Sequence, residues 1–140
     1  MWLLYALLSS IFAAGVAIVA KLGLKNIDST LATTIRSIIM ALFLVVISLS
    51  LRKFRNFDLH SLSNRDWLLI IFAGIFGALS WLFYFFALKH GPATPVVAID
   101  RLSLVFVFIM ALLFLSESFS LKALVGVLLM VAGAILLLIK

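Results

Sequence analysis

The chain has 140 residues, 66% of them hydrophobic and 11% charged, with a mean hydropathy of +1.37. A soluble domain is about half apolar and a quarter charged, so a water-excluded core of this size cannot hold so much Leu, Ile, Val and Phe, and lipid must solvate much of it. The formal charge of +6 gathers at the ends of apolar runs, as membrane topology requires and nucleic-acid binding does not, and the absence of cysteine excludes disulfide, thiolate and Cys-based metal chemistry.

Five apolar segments approach the roughly 20 residues that a helix needs to cross about 30 Å of hydrocarbon. They lie at residues 2–20, 30–51, 67–88, 93–115 and 121–138, which predicts an all-α membrane protein of five transmembrane helices in one domain, residues 1–140. The first is expected to be a retained span. No basic residue precedes its apolar run, the run is too long for the core of a signal peptide, and no A-x-A site precedes Lys21. Asp28 or Ser29 is the expected N-cap of span two, where Thr33, Arg36, Ser37 and Met40 follow i, i+3, i+4, i+7 and share a stripe.

The loop from Arg52 to Asp66 interleaves Phe54, Phe57, Leu59 and Leu62 with charges, as in a segment resting at the headgroup level. Ser63 or Asn64 is expected to cap span three, with Trp67 as an interfacial anchor. Gly74, Gly77, Ala78, Trp81 and Tyr84 then form a stripe of small residues that ends in aromatics. Lys89 to Pro92 reads as a tight turn, and Pro95 falls in the first turn of span four, where a missing N–H costs little. Gly126 and Gly133 stand one heptad apart on span five and suggest a packing seam within or between subunits.

Charges inside a membrane are costly and need a reason. Arg36 in span two, and Asp100 and Arg101 in span four, enter from the same side to similar depths, roughly 8–9 Å at the helical rise. Span three runs the other way and brings Trp81 and Tyr84 to within about 8–12 Å of that surface. Arg36 and Asp100 form either a structural ion pair or part of a solute site. The two rings read either as packing or as a platform for a solute. No nucleophile–base pair, phosphate loop or metal cluster appears, and His60 and His90 lie on different loops, so neither an enzyme nor a cofactor is expected.

Orientation follows from flanking Lys and Arg. With the N-terminus in the cytoplasm, that side carries Arg52, Lys53, Arg55, Arg65 and Lys122, against Lys21, Lys25, Lys89 and Lys140 opposite. The cluster after span two favours a cytoplasmic N-terminus, and the near tie allows insertion both ways up.

The run Trp81-Leu-Phe-Tyr84-Phe-Phe-Ala87-Leu-Lys-His-Gly91-Pro-Ala93, followed by Ile99-Asp100-Arg101-Leu-Ser103 and Leu113-Phe-Leu-Ser-Glu117, resembles one EamA repeat of the drug/metabolite transporter superfamily. In that family an aromatic-rich third span ends on Y-x-x-A-L-x-x-G, a Glu closes span four, and a fifth span follows with spaced glycines. The segment from Asp28 to Arg36 is similar to the family's second-span entry. The likeness covers the whole chain, with departures. Many members have proline where Asp100-Arg101 stands, and residues 2–20 lack the acidic residue on which the related small multidrug resistance proteins rely.

The resemblance implies a secondary transporter, in the export direction, for a small polar metabolite in the plasma (inner) membrane. Typical members join two inverted five-span repeats in one chain. A single repeat is expected to work as an antiparallel homodimer around a shared site. Arg36 and Arg101 would attract an anionic or carboxylate group, Asp100 would hold an ammonium or guanidinium, and Trp81 and Tyr84 would stack on the apolar part. The alternatives are a lipid-carrier flippase or heterodimer subunit, and a membrane scaffold that transports nothing.

Overall fold

In the computed structural model, which describes residues 1–56, 62–115 and 118–139, the apolar runs are helices, and no strand occurs among the described residues. The helices are α1 (Trp2–Gly23), α2 (Ser29–Ser50), α3 (Asn64–His90), α4 (Ala93–Asp100), α5 (Ser103–Phe114) and α6 (Leu121–Leu136), with a short 3-10 turn at Lys53–Asn56. Four stretches are long and apolar enough to cross a membrane: α1, α2, α3, and α4 with α5 taken together over Ala93–Phe114. At 16 residues, α6 reaches only about 24 Å. Only 6% of the most apolar stretch of each of the four is buried. A soluble helix hides its apolar stripe, whereas these expose Leu, Ile and Phe on every side, a surface that only lipid can solvate. Phe57, Leu59, His60, Ser116, Glu117 and Lys140 lie outside the described residues.

Local chemistry sets the ends. Asp28 is the N-cap of α2 and accepts from Thr30 N–H at 2.9 Å and Leu31 N–H at 3.1 Å. These bonds, that to Leu31 foremost, hold its carboxyl below the usual carboxylate range. Before α3, Ser63 and Asp66 form a reciprocal capping box. Asp66 N–H donates to Ser63 Oγ at 3.2 Å, while Ser63 N–H and Oγ–H donate to Asp66 Oδ2 at 3.0 and 2.7 Å. Pro92, with extended backbone, is the N-cap of α4, and Ser120 Oγ accepts from Ala123 N–H to cap α6.

Span four, expected as one unbroken helix over 93–115, narrows at Arg101–Leu102. There Leu102 N–H donates to Ile99 O at 2.9 Å, Leu104 N–H to Arg101 O at 3.1 Å and Val105 N–H to Leu102 O at 2.9 Å. Each bond reaches back three residues, so one tight 3-10 turn joins α4 to α5. Neither residue is Pro or Gly, and no backbone rule marks this place in the sequence.

The chain divides into two compact units, Met1–Lys21 with His90–Lys140, and Leu22–Lys89. In the first, Ala17 of α1, Ala111 of α5 and Val127 and Ala134 of α6 are buried, and Lys21 Nζ donates to Gly91 O at 2.7 Å. That bond ties the end of α1 to the turn before α4. In the second, Ser29 and Thr33 of α2 and Phe85 and Leu88 of α3 are buried, and Lys89 Nζ donates to Ile27 O at 3.0 Å. Both lysines satisfy turn carbonyls that lack helical partners. The glycine stripes behave otherwise than close packing requires: a Cβ built at Gly74, Gly77, Gly126 or Gly133 meets nothing within 4 Å. Among the described residues, close contact within its own unit is therefore not why any of these positions is small.

Candidate functional site

Three of the five residues singled out above come together in the α2–α3 unit. Arg36 sits about 10 Å into α2, two turns past Ser29. Its guanidinium carbon lies 3.8 Å from the ring centroid of Trp81 and 5.2 Å from that of Phe85. Trp81 meets Tyr84 edge to face at 5.6 Å and 89°, and Phe85 at 6.1 Å and 70°. Positions 81, 84 and 85 stand at i, i+3 and i+4 on one face of α3, which presents Trp81 and Phe85 to the arginine and sets Tyr84 against both rings. Phe85 escaped the sequence reading. Its signal was the i, i+4 spacing from Trp81 within an aromatic run.

The arginine is held by its flat face and left open at its edge. Among the described residues, Nε and Nη2 are buried and have no hydrogen-bond partner. These two nitrogens form one side of the guanidinium fork, the side that grips a carboxylate or phosphate with two parallel N–H···O bonds. A cation–π contact is worth up to about 2 kcal/mol when desolvated. Each buried donor without an acceptor costs about 1–3 kcal/mol. The rings alone therefore do not compensate the buried donors, and the Nε–Nη2 edge has the geometry to receive an oxyanion.

Three neighbouring hydroxyls bond to the α2 backbone. Thr33 Oγ1 donates to Ser29 O at 2.7 Å, Thr34 Oγ1 to Thr30 O at 2.9 Å and Ser37 Oγ to Thr33 O at 2.8 Å. Their protons are committed to the α2 backbone, while Ser29 Oγ, buried on the same stripe, has no hydrogen-bond partner among the described residues. Next to them a groove of about 470 Å³ opens between the helices, bordered by Thr33, Ser37 and Ala41 of α2 and by Ala78 and Leu82 of α3. The small Ala78 keeps it open.

Asp100 and Arg101 belong to the other unit, at the tight turn between α4 and α5, and both are exposed. Lys21 is engaged with Gly91 O.

The chain matches the EamA-like transporter family over residues 1–139. It is 38% identical over 136 residues to an "Uncharacterized transporter in cobO 3'region" from a Sinorhizobium species, an alignment that covers 97% of this chain and 95% of that protein. No solved structure matches it. The helices long enough to span a bilayer and a match along nearly the whole chain agree: this is a multi-pass membrane protein belonging to the EamA-like transporter family.

Proposed function

We propose that the protein is a secondary transporter, working outward, for a small polar metabolite that carries a carboxylate or similar oxyanion. The observation that supports this reading is the unpaired Nε and Nη2 edge of Arg36, stacked on Trp81 and Phe85 and shielded from solvent. The fork takes the oxyanion, and Trp81 and Tyr84 cover the apolar part of the solute. Arg101 adds positive charge, and Asp100 receives an ammonium or guanidinium where the solute has one.

The working form is an antiparallel homodimer. Asp100 and Arg101 are exposed inside a segment long enough to span the membrane, and charge there must face water or protein rather than hydrocarbon. The Sinorhizobium relative is matched along 95% of its length, so it too has the size of one repeat. The Gly126 and Gly133 face of α6, where an added Cβ meets no described residue of its unit within 4 Å, is a candidate contact between copies. The membrane is the plasma (inner) membrane.

The test is a thermal-shift screen of purified protein against mono- and dicarboxylates, amino acids and amines, since a ligand that binds the folded state raises its apparent Tm. A stabilising carboxylate should then be carried across proteoliposomes. Stabilisation by amines alone, with no effect of any oxyanion, would overturn the assignment of Arg36.

A further inference from the structure

The far end of α2 carries an arginine-lined hollow, independent of the transport reading. Where α2 ends, Arg52 adopts φ 53°, a left-handed backbone that residues with a Cβ avoid. Its N–H donates to Leu49 O at 2.9 Å, and its carbonyl accepts from Arg55 N–H at 3.2 Å, so the chain reverses tightly there. A glycine would hold such a turn without strain. An arginine in its place calls for an account of what the side chain does.

The reversal sets Arg52 and Arg55 around one hollow of about 470 Å³, whose described lining also includes Leu49 and Phe54. Among the described residues no acidic side chain pairs with either guanidinium. The hollow's described lining is thus cationic on one side and apolar on the other. It also stands where the apolar run of α2 gives way to the charged loop, at the edge of the hydrocarbon. We infer that this hollow binds the phosphate of an anionic phospholipid, with both guanidiniums on the headgroup and Leu49 and Phe54 against the start of the acyl chains. A helix C-terminus favours any nearby cation. That preference explains the charge but not the left-handed backbone.

The test measures apparent Tm and lipid adducts, by native mass spectrometry, on purified protein in neutral detergent. The additives are phosphatidylglycerol, phosphatidylcholine or inorganic phosphate. Phosphatidylglycerol should raise Tm and leave bound lipid, and the other two should do neither. Arg52→Gln with Arg55→Gln should require at least tenfold more phosphatidylglycerol for the same shift, whereas Lys122→Gln, which removes a charge elsewhere, should leave the response intact. Arg52→Gly relieves the backbone, so it should fold at least as stably as wild type and still lose the lipid response. An equal response to phosphatidylcholine, a full response to inorganic phosphate alone, or an unchanged response in Arg52→Gly would each overturn the proposal.

Discussion

Replacing Arg36 with Met separates a solute-binding arginine from a structural one. Methionine keeps much of the length and apolar bulk and removes the charge. In the ligand-free protein the change forfeits the stack on Trp81 and Phe85, worth up to about 2 kcal/mol. It also relieves two buried donors without acceptors, about 1–3 kcal/mol each, so Arg36→Met should be no less stable than wild type. Binding should respond in the opposite sense. Two charge-assisted hydrogen bonds at about 1.5–3 kcal/mol each amount to about 3–6 kcal/mol, or on the order of a 10²- to 10⁴-fold loss of affinity. Arg36→Lys keeps a charge but loses the fork, and should forfeit on the order of 10- to 100-fold. The assay is the apparent Tm of each variant, alone and titrated with the most stabilising carboxylate of the screen. A structural ion pair with Asp100 makes the contrary demand. Removing Arg36 would strand a charge and destabilise the ligand-free protein by about 3–5 kcal/mol. That loss, with carboxylate binding intact in the surviving folded fraction, would refute the reasoning.

Trp81→Ala and Tyr84→Ala should each weaken carboxylate binding more than they reduce the yield of folded protein, as measured by titration and by size-exclusion recovery; equal losses would return the rings to packing. Wild-type chains should insert in both orientations, and a few Lys residues added around Ser118 should fix the N-terminus inside and abolish transport until an oppositely biased copy is co-expressed. Reporter fusions showing one fixed topology in an active wild type would rule out the antiparallel dimer. Asp28 has a folded pKa below its unfolded value, so its contribution to stability is present above the unfolded value and lost as pH falls through the folded one. Between about pH 6 and about pH 3 the wild type should therefore lose stability that Asp28→Asn does not; parallel profiles of apparent Tm would contradict this.

The spans were legible because hydrocarbon makes the same demand of every residue it touches. A continuous apolar run has to be a helix there, whatever it packs against. The caps at Asp28 and Ser63 were legible for a similar reason, since each bond joins residues two or three apart in the chain. The α2–α3 site was legible only in part. Depth along each helix brought Arg36, Trp81 and Tyr84 to one level, but depth leaves rotation about the helix axis open. Packing of α2 on α3 settled that rotation, setting the guanidinium on Trp81 and adding Phe85. The left-handed turn at Arg52 and the tightened turn at Leu102 carry no glycine or proline to announce them. Composition and local spacing thus determined that the chain crosses a membrane and where its helices begin. Tertiary structure decided which edge of Arg36 stays open, because that depends on residues 45 and 49 positions away along the chain and on the side from which their rings approach.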